Sequence, residues 1–85
     1  MKATVTVRLK PEVLDPQGDA VRRALGKLGF EGVVGVRVGK IIEVDIDDAH
    51  ARDARLADRL RQMADQMLAN PVIEDYEVDV GVKAL

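Results

Sequence analysis

The stretch "VVGVRVGKIIEVDID", Val33 to Asp47, decides the fold. It reads either as one strand with a local kink or as two strands turning at Gly39-Lys40. Side-chain parity separates the two. In a continuous strand Val34, Val36, Val38, Ile42, Val44 and Ile46 share one face, and only Lys40 interrupts the row. A two-residue hairpin puts Val38 and Ile41 on the same face and brings Glu43 and Asp45 in beside the valines, which buries charge without partners. A three-residue loop, Gly39-Lys40-Ile41, restores the parity but leaves an isoleucine in the loop. The pattern therefore favours a single bent strand over Val33 to Asp47. At roughly 3.3 Å per residue it would exceed about 40 Å and project past the domain's own sheet, where it needs something to pair with.

Working outward, "ATVTVRL" alternates Ala3, Val5, Val7 and Leu9 with Thr4, Thr6 and Arg8, the period of a strand with one buried face. Pro11 and Pro16 then bracket an irregular passage. Asp15 is placed to cap a helix with Pro16 at its first position, and Val21, Ala24, Leu25 and Leu28 recur at helical spacing before Gly29 ends the run. Downstream, Asp47 or Asp48 caps a second helix, and Leu56, Leu60, Met63, Ala64, Met67 and Leu68 form its apolar stripe. Its other face carries Arg61 and Asp65 at ion-pair spacing. Asn70-Pro71 stops it, and "VIEDYEVDVGV" makes a third strand with Val72, Tyr76, Val78, Val80 and Val82 on one face. The fold class is α+β: one domain, residues 1–85, built β-α-β-α-β with both helices on one face of a small antiparallel or mixed sheet. The alternative is a ferredoxin-like β-α-β-β-α-β arrangement with the hairpin at Gly39-Lys40.

Eighty-five residues bury only about 60–65% of their unfolded surface, so the core is thin and further burial against another copy or a partner is expected. Thirteen basic against fifteen acidic residues give no single-sign field to attract nucleic acid or an anionic membrane. Phe30 and Tyr76 alone make no base-stacking platform. No segment has the apolar length of a signal peptide core or a membrane span, which predicts a soluble chain. Cysteine is absent, so no disulfide or thiolate zinc site holds the fold, in keeping with a reducing cytoplasm.

The reactive inventory is poor: cysteine and serine are missing, His50 is the one histidine, and Thr4, Thr6 and Tyr76 are the only side-chain hydroxyls. No nucleophile, base and orienting group can be assembled from these, so no catalytic residue is assigned. Glu43, Asp45, Asp47 and Asp48 offer hard oxygen ligands, but they fit equally a solvated strand face followed by a helix cap, and no metal or cofactor site is assigned. "RVGKIIE" lacks the remaining glycines of a phosphate loop. Lys40 stands as the one charge on an apolar row, so its ammonium reaches either solvent or an acidic partner.

Three phrases, "LKPEVLDPQGDAVRRAL", "VRVGKIIEVDI" and "LANPVIEDYEV", together resemble the PurS family, the small subunit of multi-subunit phosphoribosylformylglycinamidine (FGAM) synthase. The resemblance spans nearly the whole chain and implies a non-catalytic cytoplasmic subunit of purine biosynthesis. It implies a homodimer or homotetramer, the long strand contributing to pairing, that bridges a large synthetase subunit and a glutaminase subunit and assists ammonia transfer. ATP and magnesium would then belong to the large subunit. Asp15, Gln17, Arg37, Lys40, Asn70 and Tyr76 are the candidate interface residues. Two other classes stay open: a small oligomeric module binding a metabolite, and an enzyme acting through carboxylates.

Overall fold

The computed structural model describes residues 1–80. The elements are β1 (Lys2–Leu9), α1 (Pro16–Lys27), β2 (Gly39–Asp45), α2 (Asp48–Ala51), α3 (Leu56–Met63), a π-helical turn (Ala64–Leu68) and β3 (Glu74–Asp79). The strands form one antiparallel sheet in the order β2-β1-β3.

The alternation in β1 sets the core. As the central strand it has neighbours on both sides, Val5 standing opposite Ile42 of β2 and Val78 of β3. Its inward residues Ala3, Val5 and Val7 are therefore closed off by Leu56 and Leu60 of α3 at one end and by Ala64 and Ala69 around the π-helical turn at the other. Val5, Val7 and Leu60 are the largest fully buried side chains, each contributing about 1.5–3 kcal/mol of hydrophobic stabilisation. The opposite face of the sheet is polar, as its sequence alternation predicts, and cross-strand ion pairs Lys2–Glu43, Arg8–Glu77 and Lys10–Asp75 lie along the sheet.

The expected long strand is shorter than its pattern. Only Gly39–Asp45 is laddered, and Val33 to Val38 forms no strand pairing among the described residues. The cause is the end of β1: Gly39 already stands opposite Arg8, so the residues before it have no backbone to pair with. No hairpin forms at Gly39-Lys40, and the ferredoxin-like alternative with its fourth strand is not built.

The helices also depart from expectation. α1 has the predicted start and end, with Asp15 as N-cap and Pro16 at the first position. At its C-terminus the Phe30 and Gly29 amides donate to the Leu25 and Gly26 carbonyls around a left-handed Gly29 (φ 93°), a Schellman motif. Yet α1 does not pack on the sheet: Val21 and Leu28 of its apolar stripe are exposed. The second helix is in pieces. Asp53 accepts from the Arg55 amide at 2.9 Å, a local turn that competes with helix and separates α2 from α3. In the π-helical turn the Ala69 amide reaches the Ala64 carbonyl at 2.8 Å, one residue beyond α-helical pairing. That extra residue per turn rotates Met67 out to 86% exposure and brings Ala69 to the core, where Leu68 packs as its place in the stripe predicts. Arg61 pairs backwards with Asp58 at 2.9 Å, not with Asp65. Val72 precedes β3 in the turn and is exposed, while Tyr76 and Val78 face the core as expected. Val82 lies outside the described residues.

Candidate interaction surface

The surface is organised by one carboxylate. Asp15 Oδ1 accepts from the Gly18 amide at 2.8 Å and Asp15 Oδ2 from the Val38 amide at 2.7 Å. A single side chain thus caps α1 and ties down the backbone just before β2. Both oxygens are engaged by N–H donors, which holds the carboxyl below its ordinary range, the Gly18 and Val38 amides being the main causes. Gly18 is needed beside it: a Cβ there would lie 2.1 Å from the Val36 carbonyl oxygen. The opening turn of α1 and the Val36 to Val38 backbone are therefore in direct contact, and their joint geometry directs α1 clear of the sheet.

Arg37 extends the same junction. Its Nη2 donates to the carbonyls of Lys10 and Val13, both at 2.9 Å, so the guanidinium is held by backbone at the head of β2. Lys40 is exposed on the outer edge strand and makes no ion pair among the described residues. Gln17 and Lys40 help to line a cleft of about 230 Å³ with Asp15 and Glu74. Asn70 builds the turn into β3: its side chain accepts from the Val72 amide at 3.1 Å and its own amide donates to Glu74 Oε1 at 2.7 Å. The Lys10 amide donates to the Ile73 carbonyl, which brings that turn beside the Asp15 and Arg37 cluster. Tyr76 stands apart, half-buried against the core with its hydroxyl donating to the Arg61 carbonyl at 3.3 Å. Five of the six candidate residues thus gather at one end of the sheet.

From that end outward along α1, apolar residues stay in solvent, among them three that parity and periodicity assigned to the interior: Val21, Leu28 and Val34. Val34 and Leu28 are 95% and 73% exposed and Val21 is exposed; Leu14 and Phe30, which neither pattern placed, are exposed as well. For Val34 the signal is the early end of β1 at Leu9, which leaves any upstream extension of β2 without a partner. The molecule is correspondingly extended: its radius of gyration is 16.5 Å, against about 12 Å expected for a compact chain of this length. Among the described residues no group of three or more acidic or histidine side chains is arranged to hold a metal ion, and no helix is long and apolar enough to cross a membrane.

A small α+β chain with a thin core, an outward-facing apolar helix stripe and an open sheet edge has the architecture of an assembly component. The sequence profile of the family described as PurS, phosphoribosylformylglycinamidine (FGAM) synthase, matches residues 2–81. The chain belongs to the PurS family. It is 47% identical over 77 residues to the phosphoribosylformylglycinamidine synthase subunit PurS of Mycobacterium leprae, covering 91% of each chain. Among solved structures it resembles PurS of Methanocaldococcus jannaschii, one of the subunits of formylglycinamide ribonucleotide amidotransferase in the purine biosynthetic pathway, with TM-score 0.78, 38% identity and 92% of each chain covered. It also resembles a chain of PurLQS from Thermotoga maritima, with TM-score 0.73, 28% identity and 91% and 92% coverage.

Proposed function

We propose that this chain is a non-catalytic cytoplasmic subunit of FGAM synthase that self-associates and bridges the large synthetase subunit and the glutaminase subunit, assisting ammonia transfer between them. ATP and magnesium are bound by the large subunit. The observation that supports this reading is the apolar stripe of α1, which a lone copy leaves in water although helix, cap and terminating motif are all well formed. Two copies satisfy each other when the exposed Val21 and Leu28 of α1 in one are covered by apolar surface of the other. The metabolite-binding alternative required the hairpin at Gly39-Lys40, which is not formed.

Reconstitution tests the reading. With its cognate synthetase and glutaminase subunits, the chain co-sediments in one complex and restores turnover with glutamine, while turnover with free ammonia needs the synthetase alone. Glutamine-dependent turnover that is equally fast without this chain, or a stable monomer that joins neither subunit, overturns it.

A further inference from the structure

A cleft of about 590 Å³ opens on the polar side of the sheet where β1 ends beneath the Arg37-Val38 backbone. Its charged lining is Arg8 and Arg37, and its apolar lining includes Leu9, Pro11 and Ile41; Lys40 borders it, but its register opposite Val7 places its side chain on the other face of the sheet. We infer that this cleft is the docking site for an acidic segment of another synthase subunit, one that presents a carboxylate flanked by an apolar side chain; the inference rests on the bridging role proposed above.

Three features carry it. Arg37 is pre-organised: one nitrogen is fixed by the Lys10 and Val13 carbonyls, and the guanidinium has no ion pair among the described residues, so its remaining N–H donors are free to take a carboxylate. Arg8 gives only Nη1 to Glu77, at 2.9 Å and in solvent, which leaves the other side of its guanidinium available. Ile41 is the anomaly. Its register opposite Thr6 places it on the ion-paired face of the sheet, where it is 68% exposed beside the two arginines. A lone oxyanion has no use for that apolar floor or for a cleft of this volume, whereas a peptide segment uses both, the carboxylate reaching the guanidinium and its neighbour covering Ile41.

The test uses the full chain and its cognate synthetase and glutaminase subunits, with binding followed by surface plasmon resonance and self-association by analytical ultracentrifugation. The double variant Arg8→Gln/Ile41→Gln changes the cleft on its own face of the sheet and keeps the backbone hydrogen bonds of Arg37. It weakens binding to one of the two subunits about tenfold at low salt, with much of the difference lost at high salt and sedimentation of the free chain unchanged. Arg37→Lys, which retains the charge but not the fork, weakens the same interaction. Wild-type affinity in both variants overturns the docking site while leaving the bridging role intact; a wild-type chain that binds neither subunit overturns both. Inorganic phosphate that binds saturably to the wild type and not to the double variant, with subunit affinity unaltered, reassigns the cleft to a small oxyanion. Loss of self-association in the double variant assigns it instead to the contact between copies.

Discussion

Gly18→Ala probes the junction on which the surface depends. In an unobstructed helix the substitution stabilises by about 0.5–1 kcal/mol, because alanine loses less backbone entropy. Here the added methyl lies 2.1 Å from the Val36 carbonyl oxygen, 2.9 Å from its carbon and 2.8 Å from Asp15 Oδ2. Two of those atoms are backbone, so relief requires the Val36 segment to withdraw by more than about 1 Å from ordinary packing distance. Overpacking of that kind costs about 1–3 kcal/mol, which outweighs the propensity gain and leaves a net loss of about 1–2 kcal/mol. For a domain of this size that lowers Tm by about 5–15 °C. Gly26→Ala is the internal control, since nothing lies within 4 Å of its added methyl and the full helix gain of about 0.5–1 kcal/mol is realised. Thermal unfolding by circular dichroism at fixed protein concentration gives opposite shifts for the two variants, and hydrogen exchange shows the Val38 amide exposed only in Gly18→Ala. A Gly18→Ala protein at least as stable as the wild type, with the Val38 amide still protected, refutes the packing argument.

Leu60→Ala truncates the only fully buried leucine among the described residues and costs about 2–5 kcal/mol, enough to abolish cooperative unfolding or lower the denaturation midpoint steeply in urea. Asp15, Asp19, Asp47 and Asp53 all have carboxyls held below their ordinary 3.8, respectively by backbone amides, Arg22, the His50 amide and the Arg55 amide. Their contribution is complete above that value and lost as pH falls through the depressed native values, so urea midpoints stay level from neutrality down to the ordinary carboxylate range and drop below it. Lys10, raised above 10.5 by Asp75, contributes below that pH and loses its effect as alkali rises through its native value; Asp75→Asn removes the alkaline component. Val21→Asp/Leu28→Asp changes only exposed positions of α1, so the chain stays folded while sedimentation shifts to monomer; a variant that still self-associates removes α1 from the interface.

The fold was legible where local and global demands coincide. β1 satisfies its alternation because both its edges are paired, and the α1 boundaries follow from Asp15, Pro16 and Gly29 because capping chemistry is local. Strand length in Val33 to Asp47 was not legible, since a ladder needs a partner of matching length and β1 stops at Leu9. Nor was the fate of Met67, because the periodicity assumes a uniform α-helix, and the π-helical turn shifts the phase so that Met67 faces out while Leu68 stays on the core. The break before Leu56 was available in principle from Asp53, whose side chain caps its own turn. As for the surface, Asp15 and Arg37 were reachable as charged residues beside glycines and prolines. Their bonds to Val38, Lys10 and Val13 join distant parts of the chain, which no local pattern reports.

The capping of α1 and the continuity of the Val33 to Lys40 run are one problem. An apolar helix with no sheet beneath it would ordinarily fray, because most helical stability in a protein comes from packing an amphipathic face. α1 is instead fixed at both ends without that packing, by the Asp15 cap and Pro16 at its start and by the Gly29 motif at its finish. Intrahelical pairing of Asp19 with Arg22 and Arg23 adds to this locally. Because Asp15 also holds Val38, the direction of the unpacked helix is locked to the head of the edge strand β2. Pre-forming the helix and its angle reduces the ordering cost that association would otherwise meet. On the proposed reading the exposed stripe is a rigid binding element, and the junction serves assembly more than the stability of a lone copy.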